Sequence, residues 1–269
     1  MADELRFTIL GCSSSPGVPR IGNDWGNCDP QNPKNRRRRA SMLVERISAK
    51  GTTTILIDAG PDLREQMLSS GVDWADAVLL THPHADHIHG LDDLRAFFIN
   101  RRQLVSVYCD ASTSLRLHEA FGYCFETPEG SKYPPILTER RIAKGIAFDI
   151  EGEGGPIRVL PYAHQHGDIR SLGFRFENVA YSSDVSDLDE DALPHLNDLD
   201  VWIVDALQYR PHPNHFHLER SLEWIDRLKP KRAVLTHLHT PLDYDTVLAE
   251  TPEHVEPAYD GMVFSVPIG

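Results

Sequence analysis

Hydrophobic residues alternate with polar ones over short segments in the first half of the chain, and this period-two pattern predicts β-strands. The alternation is clearest in "RFTIL", residues 6–10. Gly51 lies between two further strand-like segments and predicts a hairpin. Near-continuous apolar runs such as "DVWIVDAL" predict strands that are buried on both faces. The predicted strands are residues 6–10, 41–47, 52–58, 77–81, 104–109, 147–150, 157–162, 172–177, 179–184, 200–207 and 232–237.

Apolar residues at helical spacing predict helices between these strands. One begins near Pro61, which suits a first helical turn, and ends before Gly71, which suits the residue after a helix. The predicted helices are residues 61–71, 90–101, 186–193, 217–228 and 241–250. Strands dominate the first half, and strands alternate with helices afterwards. The pattern therefore predicts an α/β fold with a single domain over residues 1–269, in which sheet packs on sheet and helices lie outside.

Composition and charge narrow the class of protein. The formal net charge is −13, and a surface this acidic repels polyanions, so we expect no binding of long nucleic acids. No apolar run approaches the ~20 residues of a membrane span, and the polar start of the chain does not read as a signal peptide. We therefore expect a cytoplasmic protein without membrane contact. The four cysteines form no C-x-x-C pair, which argues against a disulfide framework and against a cysteine-bound zinc.

The segment "THPHADHIHG", residues 81–90, places four histidines and an aspartate directly after a buried apolar run. In an extended segment, residues two positions apart point the same way, so His82 and His84 can converge on one ion. Where the chain begins to coil, Asp86 and His87 point away from that pair and can face a second ion. Crowded imidazolium ions would repel one another, whereas neutral imidazoles with carboxylates suit zinc, manganese or iron. The segment therefore predicts metal binding.

Further candidate ligands follow other apolar runs, so each can lie at the same edge of a sheet. His164 and His166 come after the strand predicted to end at residue 162, and they compete for one ligand position. Asp184 ends a predicted strand with a carboxylate that can bridge two ions, and His237 ends another strand. Together with the first segment, these residues supply the seven ligands that a two-metal site needs.

The T-H-x-H-x-D-H stretch at residues 81–87 resembles the signature of the metallo-β-lactamase superfamily, and the resemblance extends over residues 6–264. It implies a four-layer αββα sandwich with two divalent metal ions, Mn or Zn, at one edge of the sheets. The implied ligands form two groups and a bridge: His82, His84 and His166 for one ion, Asp86, His87 and His237 for the other, and Asp184 between them. His166 is preferred over His164 because it precedes Gly167 and its distance to "SLGF" is nearest the family spacing.

Other segments resemble one branch of this superfamily, namely "GVP" (17–19), "LIDAGPDLR" (56–64), "GLDDLR" (90–95), "NHFHL" (214–218), "VLTHLH" (234–239) and "YDGM" (259–262). They look like the phosphodiesterases that include ribonuclease Z and phosphoribosyl 1,2-cyclic phosphate phosphodiesterase. The resemblance implies hydrolysis of a small cyclic phosphate ester by metal-activated hydroxide. It makes His215 the general acid, Asp86 a catalytic group as well as a ligand, and a homodimer possible.

Two departures from this branch bear on the substrate. The loop after "GVP" contains Cys28 alone where a family member carries a cysteine cluster for a structural zinc, so we do not expect that zinc here. The chain also shows no long insertion of the kind that forms the arm with which ribonuclease Z holds transfer RNA. We therefore expect a small phosphate ester or a nucleotide as the substrate.

Five further residues are predicted to act around the metals. Asp58 and Asp205 close buried strands, where an unpaired carboxylate is costly, so we expect them to accept hydrogen bonds from ligand histidines. His164, His217 and Trp25 are predicted substrate contacts. His217 also competes for the role of general acid.

Three other functions stay open from the sequence. A cyclic nucleotide or short oligonucleotide phosphodiesterase would share the metal chemistry, and Trp25 or Tyr123 could then stack on a base. A thioester or lactam hydrolase needs no acid for the leaving group, so the "NHFHL" segment counts against it. A non-catalytic metal-binding protein is the third, and the complete set of ligands with a candidate acid argues against it.

Overall fold

The structure is a computed structural model that describes residues 3–268 and contains two seven-stranded sheets. The strands of the first sheet are β1 (Glu4–Gly11), β2 (Ser41–Ser48), β3 (Gly51–Ile57), β4 (Ala77–Leu79), β5 (Val105–Cys109), β6 (Leu137–Arg141) and β14 (Val263–Pro267). β14 lies beside β1 at one edge, and β1 to β6 then follow in chain order. Pairing is antiparallel from β14 to β3 and parallel from β3 to β6.

The second sheet repeats this plan, with an antiparallel part followed by a parallel part. Its strands, again in chain order, are β7 (Phe148–Ile150), β8 (Ile157–His166), β9 (Ile169–Phe176), β10 (Val179–Ser182), β11 (Val201–Asp205), β12 (Arg232–Thr236) and β13 (Val255–Pro257). Pairing changes from antiparallel to parallel at β10. The α-helices are α1 (Leu63–Ser70), α2 (Ala85–Ile88), α3 (Arg95–Arg101), α4 (Ala111–Phe125), α5 (Leu218–Leu228) and α6 (Tyr244–Glu250).

Apolar side chains fill three interfaces between four layers. Between the sheets, Phe7 lies with its ring centroid 6.1 Å from that of Phe176 and 5.1 Å from that of Phe264. A second cluster joins α1, α3 and α4 to the outer face of the first sheet, and a third joins α5 and α6 to the second sheet. The predicted αββα sandwich is confirmed. Within residues 3–268, no helix has the length and apolar character needed to cross a membrane.

All the predicted strands are present. The end of one strand and the position of one helix need correction. The strand expected to end at residue 162 continues to His166, so β8 contains both His164 and His166. The helix predicted over residues 186–193 is wrong. Ser186 Oγ accepts from Gly167 N at 3.0 Å and Asp187 pairs with β8, so side chains and strand contacts replace the helical bonds.

Several elements were not predicted at all, namely α4, β6, β13 and β14. That residues 1–269 form a single domain stays a prediction, and Met1, Ala2 and Gly269 lie outside the described residues.

Close backbone contact joins the segment after β3 to the histidine-rich segment. Ala59 N donates to His87 O at 2.8 Å, and Gly90 N donates to Ala59 O at 2.8 Å. A Cβ atom on Gly60 would lie 1.9 Å from Asp86 O, and one on Gly90 would lie 2.0 Å from Gly60 O. Glycine is required here because two backbones approach closely, and that approach places Asp86 and His87 at the edge of the sheet.

We expect Gly60→Ala to lower the free energy of unfolding by about 3 kcal/mol, because the new methyl group meets a backbone carbonyl that cannot move freely. The measurement is urea unfolding of the metal-free protein. Gly122→Ala in α4 is the control, since a Cβ there meets nothing within 4 Å and alanine should stabilise a helix by about 0.5–1 kcal/mol. Equal effects of the two substitutions would show that the close contact is not a constraint.

Candidate metal centre

The seven predicted ligands lie together at the ends of four strands. They are His82, His84, Asp86 and His87 after β4, His166 at the end of β8, Asp184 after β10, and His237 after β12. Ligand atoms of His82, His84 and His166 all lie within 4.8 Å of one another, and so do those of His82, His87 and Asp184. The structure thus brings both predicted groups to one place, while their role as ligands stays a prediction.

Asp184 lies between the two groups of histidines. Its Oδ1 is 3.9 Å from His82 Nε2 and 3.7 Å from His166 Nε2. Its Oδ2 is 3.3 Å from His87 Nε2 and 3.3 Å from His237 Nδ1. One oxygen of Asp184 therefore faces each group of histidines, the arrangement that the predicted bridge would need.

Three residues of the site have a left-handed backbone. The φ angles of Asp58, Asp184 and His237 are 60°, 58° and 59°. This region is unfavourable for residues with a Cβ atom, and such conformations persist only where the surroundings enforce them. At each position the chain leaves its strand abruptly, which keeps the side chain at the sheet edge.

Unpaired nitrogens show that the cluster fits a cation. His82 Nε2, His87 Nε2 and His237 Nδ1 are buried and have no hydrogen-bond partner within residues 3–268. In His87 the other nitrogen, Nδ1, lies 2.7 Å from Asp58 Oδ2 and donates to it, so Nε2 is the atom that a cation would contact in place of a proton. Buried acceptors without partners are costly, and neutral imidazoles with carboxylates are suitable ligands for divalent zinc or manganese.

The charges around the cluster also favour a cation. Among the described residues, the hydrogen bonds to Asp58, Asp184 and Asp205 come from hydroxyl, amide and imidazole groups and not from lysine or arginine. Burial lowers the pKa of His237 to about 3, which keeps its ring neutral. Burial also acts on His87, but the carboxylates of Asp184 and Asp86 outweigh it and raise the pKa of His87 well above its usual value.

Asp58 holds the ligand segment in place, as predicted from its position at a strand end. Besides His87, its carboxylate accepts from Thr81 N at 2.8 Å and from Thr81 Oγ1 at 2.9 Å. Thr81 was not predicted as a site residue, although it stands first in the T-H-x-H-x-D-H stretch. His166 Nδ1 donates to Asn214 O at 2.8 Å, a backbone contact for which the sequence offers no signal.

Asp205 binds a histidine that is not among the predicted metal ligands. Its Oδ2 accepts from His215 Nδ1 at 2.8 Å and from Val185 N at 2.9 Å. It therefore orients the predicted acid, and the expectation that it contacts a ligand histidine is corrected. Burial lowers the pKa of His215, but the charge of Asp205 and its hydrogen bond outweigh burial and raise that pKa to about 9.

The three predicted substrate contacts have different surroundings, and only His164 is shown to be inaccessible. His164 is fully buried and donates from Nε2 to Ser183 O at 2.9 Å, so it cannot touch a substrate in this structure. His217 precedes α5, and its Nε2 lies 3.9 Å from Glu219 Oε2. Trp25 donates to Asn23 Oδ1 at 3.1 Å and packs under Arg36. Of the two histidines considered for the acid, His215 is the one whose ring is shown to lie beside those of His166 and His237.

Comparisons with known proteins agree with this geometry. A family model described as "Beta-lactamase superfamily domain" matches residues 53–238. The chain belongs to this superfamily. A crystal structure described as that of a "New Diphosphatase from the PhnP Family" is 32% identical with a TM-score of 0.87, and the match covers 99% of this chain and 98% of the other.

Among the curated relatives that match in sequence are a ribonuclease Z and an octanoyltransferase. The ribonuclease Z of Mycobacterium sp. (strain KMS) is 29% identical over 159 residues, which are 54% of this chain and 53% of the relative. An octanoyltransferase of Porphyromonas gingivalis (strain ATCC BAA-308 / W83) is 31% identical over 263 residues, 96% of this chain and 51% of the relative. The chain spans about half the length of these two relatives, so the activity of the whole relative is not assigned to it. The predicted branch is nevertheless confirmed, because the family model and the similarity to a PhnP-family structure over nearly the whole of both chains support it.

We expect Asp58→Asn to weaken binding of Zn or Mn by about 10–100-fold, because an amide orients His87 less well than a carboxylate does. The measurement is competition with a chromophoric chelator at neutral pH. Asp76→Asn is the control, since Asp76 also accepts a backbone bond, from Thr54 N at 2.8 Å, but does so away from the cluster. Equal affinities for both variants would contradict a role of Asp58 in the metal site.

Proposed function

We propose that this chain hydrolyses a small cyclic phosphate ester of the phosphoribosyl 1,2-cyclic phosphate type, with two divalent cations held by the seven predicted ligands. The observation that carries this proposal is the Asp205–His215 pair beside the cluster. The centroid of the His215 ring lies 4.7 Å from those of His166 and His237. Opening a cyclic sugar phosphate expels an alkoxide, a basic leaving group that needs a proton, and His215 is placed to supply one.

The hydrogen bond to Asp205 decides which nitrogen of His215 can act. Because Nδ1–H is donated to Asp205, Nε2 is left to give its proton to the leaving oxygen. The side chain of His215 is 12% exposed, so it borders solvent while Asp205 is fully buried. Asp205 thus acts as an anchor, and His215 acts as the group that meets the substrate.

The ligand set supplies the other half of the reaction. Two divalent cations, Mn or Zn, would provide an activated water and neutralise charge on the phosphoryl oxygens when bound there. Asp86 is 14% exposed, whereas Asp184 is 3% exposed. We therefore propose that Asp86, the more open carboxylate of the two, orients the attacking water as well as serving as a ligand.

The net charge of the protein bears on the kind of substrate. The net charge of −13 disfavours long nucleic acids, so we propose a small phosphate ester or nucleotide. A homodimer is proposed on the family resemblance alone.

A second candidate is hydrolysis of a diphosphate. The observation that favours it is the matching crystal structure described as a diphosphatase, which covers nearly the whole chain at 32% identity. Cleavage of a phosphoanhydride expels a phosphate group, which is a much weaker base than an alkoxide. That reaction needs less help from an acid, and the two candidates therefore differ in their dependence on His215.

We expect His215→Ala to slow hydrolysis of ribose 1,2-cyclic phosphate 5-phosphate by about 10²–10⁴-fold in kcat, because the alkoxide loses its proton donor. Hydrolysis of bis(4-nitrophenyl) phosphate, whose leaving group is weakly basic, should fall by less than about tenfold. Asp205→Asn should give the same pattern to a smaller degree. His217→Ala is the control and should leave both rates close to those of the wild type.

Three results of these assays would redirect the proposal. Equal losses with both substrates in His215→Ala would mean that His215 does not act as a leaving-group acid. Turnover of a nucleoside diphosphate sugar without turnover of any cyclic ester would favour the diphosphatase. Preference for 2′,3′-cyclic nucleotides would keep the mechanism and change the substrate to a nucleotide.

A further inference from the structure

His164 is a buried histidine that the proposed reaction does not use. It lies on β8 two residues before His166, so both side chains point to the same face of the sheet. His166 reaches the predicted ligands, whereas His164 has no exposed surface. A buried imidazole is costly unless its polar atoms are satisfied, so its contacts should explain its presence.

The contact of His164 fixes its tautomer. Its Nε2 lies 2.9 Å from Ser183 O, and a carbonyl oxygen can only accept, so the proton is on Nε2. Its Nδ1 is buried without a hydrogen-bond partner in the described part of the chain. The ring therefore gives up one hydrogen bond in order to make the other, and an apolar side chain would fill the same space without that cost.

The accepting carbonyl belongs to the residue before Asp184. Ser183 Oγ donates to Asp184 Oδ2, and Asp184 has the unfavourable φ of 58°. On the other side, Val185 N donates to Asp205 Oδ2 at 2.9 Å. The three-residue segment 183–185 is thus held from β8 by His164 and from β11 by Asp205.

We infer that His164 is a positioning residue that holds the strained segment 183–185, so that the Asp184 carboxylate stays between the two groups of ligands. This inference rests on the ligand set proposed above. Because one oxygen of Asp184 faces each group, a shift of this segment changes the surroundings of both ions together. Loss of the His164 bond therefore weakens the binding of both ions.

The test compares two substitutions at His164 that differ in hydrogen bonding. His164→Gln keeps an N–H group at a similar distance along the side chain, whereas His164→Leu keeps the volume and removes the donor. Tyr162→Phe is the control, because Tyr162 Oη bonds to Tyr181 O at 3.0 Å, which links the same two strands but ends before Ser183. Metal stoichiometry and affinity are measured by chelator competition, and the Co(II)-substituted proteins are compared by visible absorption spectra.

We expect His164→Leu to lose at least about tenfold in affinity for both ions, with a changed Co(II) spectrum. His164→Gln should stay within about threefold of the wild type, and Tyr162→Phe should keep its affinity even where its metal-free stability falls. Unchanged affinity and spectrum in His164→Leu, or equal losses in His164→Gln and His164→Leu, would overturn the inference.

A replacement variant and measurements without substrate keep the result interpretable. If His164→Leu does not fold, His164→Asn replaces it, since its amide is too short to reach Ser183 O and the same loss of affinity is expected. The affinities are measured without substrate, so a chain that binds two ions but hydrolyses no cyclic ester would contradict the proposed function and leave this inference standing.

Discussion

The burial of several carboxylates without lysine or arginine partners is the constraint on which the site depends. Asp58, Asp184 and Asp205 are buried, and within residues 3–268 their hydrogen bonds come from uncharged groups and from imidazoles. Uncompensated buried charge costs several kcal/mol per ion, and the raised pKa values of His87 and His215 supply only two positive charges beside these three carboxylates and Asp86. A fold that keeps three such groups beside unpaired imidazole nitrogens is therefore arranged for cations that come from outside the chain.

The fold meets this constraint by letting strands end at one place. Parallel strands of one sheet end at the same edge, so β10 and β12 bring Asp184 and His237 to one edge of the second sheet. β4, in the parallel part of the first sheet, brings His82 to the same place. The close approach at Gly60 and the left-handed residues then set the direction of each side chain. Local strain is accepted at these points because the packed sheets on either side hold the backbone.

The sequence predicted most of the ligand set because these residues follow apolar runs, and an apolar run before a polar residue marks the end of a buried strand. The choice of His166 over His164 came from the resemblance to the superfamily. The sequence also predicted the four layers, through the alternation of strands and helices. It could not reveal the partners of these residues. Asp205 and Asp58 both close strands, and only the spatial arrangement shows that Asp205 binds His215 and Asp58 binds His87.

The helix predicted at residues 186–193 is wrong because non-local contacts replaced the helical hydrogen bonds. These contacts are the pairing with β8 and the side-chain bond of Ser186. The strand at the end of the chain, β14, pairs with β1 across the whole sequence and has no local signal of comparable strength.

Each sheet has an aspartate at a strand end that is hydrogen-bonded to a histidine, and the two pairs serve different purposes. In the first sheet, "IDA" closes β3 and "LTH" follows at the end of β4; in the second, "VDA" closes β11 and "LTH" follows at the end of β12. Asp58 orients His87, a predicted metal ligand, whereas Asp205 orients His215, which adjoins His166 and Asp184 but is not among the predicted ligands. Two carboxylate–histidine pairs of the same kind thus adjoin one cluster of predicted ligands from opposite sheets. A protein that only stored metal would need the first pair alone. The second pair would place a proton donor beside the proposed cations, a combination that suits the departure of a basic oxygen from phosphorus.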